Sequence, residues 1–97
     1  MRITLSLALL LSLLTVSTGL VAQNMHLSTE SQRAEKSYYR ASELYRNNRL
    51  EQAVEEMRKA VAYDTAFSEG WLTLGDIYTD LQDLPEAIKA YRYGMEK

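Results

Sequence analysis

Few side chains in this 97-residue chain could carry acid–base or metal chemistry. It contains one histidine and no cysteine. His26 has no acid, thiol or second histidine nearby, so it predicts neither a catalytic triad nor a metal site. Paired carboxylates such as Glu55 and Glu56 fall in helical stretches, where acidic side chains are usually solvated. We therefore predict no catalytic residue, no metal and no cofactor, in a protein that is not an enzyme.

Composition argues against nucleic acid as a partner. The net charge is −2, with no concentration of basic residues. Glycine and proline number four and one, which favours helices. Gly70 and Gly75 lie inside a helical pattern and so do not form a phosphate loop. Asp76 and Asp80 share one helical face and repel each other mildly, which a cation or a basic peptide would relieve.

The first 22 residues have the three-part plan of a secretory signal. Arg2 precedes a leucine-rich core, and small and polar residues follow it. Ala22 is the preferred last residue before cleavage, and Gly19 is the second candidate. The alternative is an uncleaved membrane anchor, because residues 3–22 are uncharged and about long enough to span a bilayer. Both interpretations place the rest of the chain outside the cytoplasm, either exported (periplasmic or secreted) or anchored at the membrane.

The remainder of the chain compares well with itself at a shift of 34 residues, a period typical of helical-hairpin repeats. Matched positions are mostly small or apolar and lie three or four apart, as one face of a helix requires. The pattern predicts two copies of a helical hairpin. The pairs are Glu35 with Glu69, Ala41 with Gly75, Leu44 with Tyr78, Leu50 with Leu84, Ala53 with Ala87, Val54 with Ile88, Met57 with Tyr91, Arg58 with Arg92 and Ala60 with Gly94.

The second copy resembles the tetratricopeptide repeat. Small residues at Gly75 and Ala87 would let the two helices of the hairpin cross closely. The first copy departs from the family pattern, with Ser37 in place of the tryptophan and Arg40 in place of the leucine. A terminal repeat facing solvent could tolerate Arg40, whose stem would run along apolar surface to water. The signature positions are filled by Trp71, Leu74, Gly75, Tyr78, Ala87, Tyr91 and Gly94.

The resemblance implies an all-α fold of antiparallel helical hairpins, a fragment of an α-solenoid. It would follow the N-terminal hydrophobic signal or anchor helix that the hydropathy pattern predicts. The expected division is a signal peptide or signal anchor over residues 1–22, a linker and helix start over 23–33, a first repeat over 34–67 and a second repeat, incomplete at its end, over 68–97.

Local signals predict four helices. Thr29 and Gln32 could form a capping box that starts the first helix, and residues 47–49 make its turn. The second helix is expected over residues 50–63. Asp64 and Thr65 are expected to cap a third helix that extends to about Leu81, and Asp83 and Pro85 to open a fourth.

In tetratricopeptide proteins the first helix of each hairpin lines a concave groove for a peptide or protein partner. The resemblance therefore implies an interaction module or scaffold whose partner has an apolar anchor and basic residues. Some members clamp an acidic chaperone tail with lysine and asparagine; Tyr38 and Ser42 occupy those positions here, so that activity is not expected. The implied partner-binding residues are Glu35, Tyr38, Ser42, Tyr45, Arg46, Glu69, Leu72, Asp76, Thr79 and Asp80.

The open side of the second hairpin would expose Ile88, Tyr91 and Met95, since such arrays generally need about three repeats to bury a continuous core. Burial of each apolar side chain would contribute roughly 1.5–3 kcal/mol. We expect a second copy of the protein, a partner or further sequence to cover this side. The alternative function is the N-terminal piece of a larger exported enzyme or envelope assembly factor.

Overall fold

The computed structural model describes residues 27–96, which form four α-helices joined by short turns. The segment predicted to be a signal or anchor, and His26, lie outside these residues. Within the described range there is no strand, and every helix is too short or too polar to cross a bilayer. The helices are α1 (Gln32–Arg46), α2 (Leu50–Tyr63), α3 (Ser68–Asp80) and α4 (Leu84–Glu96).

The helices form two hairpins that stack side by side. Helix α1 packs against α2, α3 packs against α4, and α2 joins the hairpins by packing against α3. This arrangement confirms the all-helical prediction for the described residues. The largest fully buried side chains are Met57, Phe67 and Ile77. Phe67 lies between the hairpins, so the core continues through their connection.

The two hairpin turns repeat each other at the 34-residue period. Asn48 and Gln82 occupy equivalent positions with φ of 60° and 62°, the left-handed conformation that commonly ends a helix. The turn predicted over residues 47–49 is therefore confirmed. Equivalent backbone hydrogen bonds close both turns: Arg49 N donates to Leu44 O and Asp83 N donates to Tyr78 O, each at 2.9 Å.

Helix α1 begins at a different cap from the one that the sequence predicts. The Ser31 hydroxyl accepts a hydrogen bond of 3.1 Å from the backbone N–H of Ala34, which satisfies one free donor of the first turn. The predicted capping box of Thr29 with Gln32 is wrong. The Thr29 hydroxyl instead donates to Asp64 at 2.5 Å, across 35 residues of sequence.

Helix α3 likewise starts without the predicted cap of Asp64 and Thr65. Its first residue is Ser68, and the preceding Phe67 supplies no side-chain cap. An Asp64 oxygen accepts a 3.0 Å hydrogen bond from Ala66 N, so this carboxylate organises the turn before the helix. The prediction is wrong because Asp64 lies too far from the helix start to reach its free N–H groups.

The start of α4 follows the prediction. An Asp83 oxygen accepts a hydrogen bond of 3.4 Å from the backbone N–H of Glu86. Pro85 lies in the first turn, where its missing N–H leaves no hydrogen bond unmade.

Small residues bring α3 and α4 close together, as predicted. A Cβ atom at Gly75 would lie 2.6 Å from two ring carbons of Tyr91, and one at Gly94 would lie 2.8 Å from Leu72 Cδ2. Ala87 is also buried. The side chains of one helix thus occupy the space that a side chain on the other would need.

The end of the stack formed by α1 is polar. On α3 and at Phe67 just before it, the 34-residue shift identifies the equivalents of four buried residues as exposed charged residues on α1. Arg40 is one of them; its side chain is 56% exposed and its guanidinium lies 3.8 Å from Glu56 Oε2. The equivalent pairs are Phe67 with Arg33, Gly70 with Lys36, Leu74 with Arg40 and Ile77 with Glu43.

The end formed by α4 is apolar. Met57 and Val61 on α2 are buried in the core. Their equivalents on α4, Tyr91 and Met95, have no helix packed over them among the described residues, and Met95 is 78% exposed. Ile88, the equivalent of a partly buried valine on α2, is 56% exposed. The two ends therefore have opposite character.

Candidate partner-binding groove

The candidate groove lies along α1 and α3, the first helices of the two hairpins. Two sets of polar contacts link the α1 side to α3, one near the start of each helix and one near the end. The contact near the helix ends joins two predicted groove residues directly, whereas the contact near the starts joins one of them to the segment before α1.

Tyr45 and Asp80 meet at the C-terminal ends of α1 and α3. The Tyr45 hydroxyl donates a hydrogen bond of 2.6 Å to Asp80 Oδ2. This bond to a carboxylate, with smaller contributions from burial and from the charge of Asp80, raises the pKa of Tyr45 to about 12. At neutral pH the hydroxyl is protonated and fixes the position of one exposed carboxylate.

Asp76 is held in a similar way from the other hairpin helix. The Tyr91 hydroxyl donates to Asp76 Oδ1 at 2.5 Å, and this bond is the main reason that the pKa of Tyr91 is raised. The Tyr91 oxygen also lies 3.3 Å from the hydroxyl of Thr79, which itself contacts Gly75 O at 2.8 Å. Asp76, Thr79 and Tyr91 therefore form one polar cluster.

Glu69 is bound by the segment that precedes α1. One Glu69 oxygen accepts a 2.9 Å hydrogen bond from Ser28 N, and the other accepts one from the Ser28 hydroxyl. Burial alone would raise the pKa of Glu69, but these hydrogen bonds and one from its own N–H lower it overall. The segment before α1 thus covers this end of the groove.

The middle of the groove is less polar. Tyr38 is half-buried, and its ring centroid lies 5.2 Å from that of Phe67, so much of its surface packs against the core. Leu72 is 36% exposed. The remaining predicted residues are Ser42, which is half-buried, and Glu35 and Arg46, which are exposed.

Sequence reasoning missed two participants. Tyr91 was predicted as a position of the repeat signature and not as a groove residue; its ring lies over Gly75, and its hydroxyl reaches Asp76. The 34-residue comparison could have pointed to this second role, because the equivalent residue in the first hairpin is Met57, which has no hydroxyl. Ser28 gave no signal, because it precedes the repeat and its partner Glu69 is 41 residues away.

The polar groups of the groove are arranged in a way that suits binding. Among residues 27–96, no three metal-ligating side chains come together. The tyrosine hydroxyls bound to Asp76 and Asp80 have raised pKa values and stay protonated at neutral pH, so they are weak nucleophiles. What the groove offers is a pair of carboxylates in fixed positions beside partly exposed apolar surface.

Comparison with known families supports this interpretation of the second hairpin. Residues 68–92, which include α3 and most of α4, match the family model of the tetratricopeptide repeat. No curated protein matches the chain. The match and the four-helix arrangement support a tetratricopeptide-type protein, and such domains are generally protein–protein interaction modules without catalytic activity.

Proposed function

We propose that the groove along α1 and α3 binds a segment of another protein that carries an apolar anchor and basic side chains. The observation that carries this proposal is the fixed pair of carboxylates, Asp76 and Asp80. Each accepts a tyrosine hydroxyl, and neither forms an ion pair with a lysine or arginine among residues 27–96. A basic side chain would supply the missing positive charge, and the tyrosines hold the carboxylates in place before binding.

The apolar anchor would contact the middle of the groove. Tyr38 and Leu72 each keep part of an apolar surface exposed there. Tyrosine suits such a role because it offers a large, rigid contact area at low entropic cost. The expected recognition is that of a peptide or helix laid in a groove, with affinity from the apolar contact and orientation from the charges.

A pair of labelled peptides tests the groove. One has a central leucine and phenylalanine flanked by lysines, and the other has glutamates in place of the lysines. We expect fluorescence anisotropy to detect binding of the basic peptide alone, weakened by Asp76→Asn with Asp80→Asn and by added salt. The matched control is Glu51→Gln with Glu55→Gln on α2. Equal binding of both peptides, or equal loss in both double variants, would contradict the proposal.

We also propose that residues 1–22 direct export, either as a cleaved signal or as an anchor that uses residues 3–22. The support is the charge and hydropathy pattern of this segment. Fractionation of expressing cells, with the mass of the recovered chain, tests it. A chain that starts near Gln23 in the periplasm or medium supports cleavage, an intact chain in the membrane supports the anchor, and an intact chain in the cytosol contradicts both.

We further propose that the apolar α4 face pairs with a second copy of the chain. Head-to-tail stacking would bury Arg33, Lys36 and Arg40 against it, which is costly, so a two-fold arrangement of α4 on α4 fits better. Arg92 and Glu96 flank the face and could form ion pairs with each other across such an axis. Sedimentation velocity on the full chain should find a reversible dimer that is lost in Ile88→Glu.

The alternative is that the described hairpins belong to a larger exported enzyme or envelope assembly factor. The exposed Ile88 and Met95 favour this reading too, since a further helix would cover them equally well. The coding sequence distinguishes the two: an open reading frame after Lys97 supports the larger protein. A stop codon together with a dimer in solution would support the self-associating interaction module.

A further inference from the structure

A cavity opens on the face of α3 that points away from the candidate groove. Its volume is about 660 Å³, and its walls come from α2, α3 and α4. Trp71, Leu74 and Tyr78 line it, whereas the groove residues of α3 follow the opposite side of the helix by their spacing. Cavities of this size are typical of binding sites. None of the predicted groove residues lines this cavity.

The floor and one wall of this cavity are apolar and rigid. Val61 and Leu74 are buried side chains at its base. Trp71 and Tyr93 form an aromatic pair with ring centroids 4.9 Å apart and planes inclined by 35°. The indole N–H of Trp71 donates to the carbonyl of Thr65 at 2.8 Å, which fixes the ring. An apolar side chain would therefore meet a preformed surface.

The charges around the cavity leave one cation without a partner. Lys89 pairs with Glu86 at 3.2 Å, and Asp83 accepts the hydrogen bond that starts α4. Arg58 forms no ion pair with any residue in the range 27–96. The charged side chains that line the cavity, Arg58, Asp83, Glu86 and Lys89, balance overall, and Arg58 is the cation among them that can pair with a ligand.

A tyrosine hydroxyl lies in the same cavity as Arg58. Tyr78 lines the same cavity, and its hydroxyl makes no hydrogen bond within the described part of the chain. Burial raises the pKa of Tyr78, the positive charge of Arg58 opposes that rise, and the charges of Glu86 and Asp83 add to it. The side chain stays protonated at neutral pH and can donate to an acceptor that also faces Arg58.

We propose that this cavity binds a peptide segment of a partner protein in which an apolar side chain is followed by a carboxylate. The apolar side chain lies against Trp71 and Leu74, and the carboxylate pairs with Arg58 and accepts a hydrogen bond from Tyr78. Carboxylates bound by arginine form strong, oriented hydrogen bonds, which explains a preference for an acidic over a neutral residue. Because the groove prefers a basic segment, the two faces of α3 would select different sequences.

The test uses the only tryptophan in the chain as a reporter. The probes are the blocked tetrapeptide Ala-Phe-Asp-Ala and its neutral analogue Ala-Phe-Asn-Ala, titrated into the full chain. Trp71 fluorescence and its single indole N–H signal in a nitrogen–proton spectrum report occupancy. We expect the acidic peptide to shift both signals and to bind about tenfold more tightly than the neutral one, as loss of one ion pair of roughly 1.4 kcal/mol would give.

The repeat provides a matched control. Arg58→Gln should reduce binding of the acidic peptide about tenfold and leave the neutral peptide unaffected. Arg92→Gln, at the equivalent position 34 residues later, should change neither, because Arg92 does not line this cavity. Circular dichroism checks that each variant keeps its helices. No shift of the Trp71 signals at millimolar peptide, or equal losses in the two variants, would overturn the proposal.

A double variant of the groove distinguishes failure of the cavity proposal from failure of the groove proposal. Asp76→Asn with Asp80→Asn should leave the response of Trp71 to the acidic peptide unchanged. A response abolished by that double variant would mean that the peptide sits in the groove and would refute a separate site. If the groove does not bind the basic peptide, the expected response of Trp71 to the acidic peptide is unchanged.

Discussion

Tyr45 and Asp80, on helices from different hairpins, are joined by a hydrogen bond of 2.6 Å that links the ends of α1 and α3. The raised pKa of Tyr45, about 12 against an ordinary value of 10, makes this contact dependent on pH. The stabilisation is fully present below pH 10, because the group is protonated in both folded and unfolded chains. It is lost as the pH rises towards 12.

The first prediction concerns removal of this hydroxyl. Tyr45→Phe should lower the free energy of unfolding by about 0.5 kcal/mol at neutral pH, since exposed contacts of this kind contribute little. It should also flatten the decline of stability between pH 10 and 12. Urea denaturation across that range measures both effects. Tyr39→Phe is the control on the same helix, and a loss in Tyr39→Phe as large as in Tyr45→Phe would refute the specific role.

A second prediction concerns the close approach of α3 and α4. Gly75→Ala should destabilise the fold by about 1–3 kcal/mol, because the new methyl group would overlap the Tyr91 ring. Thermal unfolding measures the loss. In a Tyr91→Ala background the same substitution should be neutral or stabilising, because the ring is gone and alanine favours helix. A similar loss in both backgrounds would show that the ring is not the cause.

The third prediction uses the two left-handed turn residues. Gln82→Gly should raise stability, since a non-glycine residue in this conformation costs roughly 1 kcal/mol. Asn48→Gly should gain less, because asparagine tolerates the conformation better. The urea midpoints of both variants give the comparison. A larger gain at Asn48 than at Gln82 would count against this account of the turns.

A fourth prediction concerns Glu69 and the segment before α1. The pKa of Glu69 is lowered in the folded chain, so Glu69 stabilises the fold at pH values above its ordinary pKa of 4.5. This stabilisation is lost as the pH falls through the pKa of the folded state. Ser28→Ala should move the pKa of Glu69 upwards and make stability less sensitive to acid. A carbon-detected NMR titration measures the pKa. Ser42→Ala, which lies outside this contact, should leave it unchanged.

The hairpins could be predicted from sequence because their determinants are local. The turn at residues 47–49 and the placement of Pro85 each involve neighbours along one helix or turn, and the 34-residue spacing shows that such a local pattern occurs twice. The caps at Thr29 and Asp64 could not be predicted, because these side chains bond to each other instead of to the nearest helix. No short-range pattern contains that pairing.

The residues of the candidate groove remain a prediction, and the contacts around them were only partly foreseen. The family resemblance placed Asp76 and Asp80 on one face, but the tyrosine hydroxyls that hold them come from two other helices. Tyr91 in particular has two roles, since its ring packs on Gly75 while its hydroxyl serves the groove. A spacing argument assigns a residue to one face only, and so it misses a side chain long enough to serve two.

Because the α1 end is charged and the α4 end is apolar, a further hairpin can be added more easily at one end of the protein than at the other. A duplicated hairpin inserted after α4 would find an apolar face ready to receive its first helix. The same hairpin inserted before α1 would have to desolvate Arg33, Lys36 and Glu43, so several compensating substitutions would be needed at once. Lengthening of this protein over evolutionary time should therefore proceed from its carboxyl side.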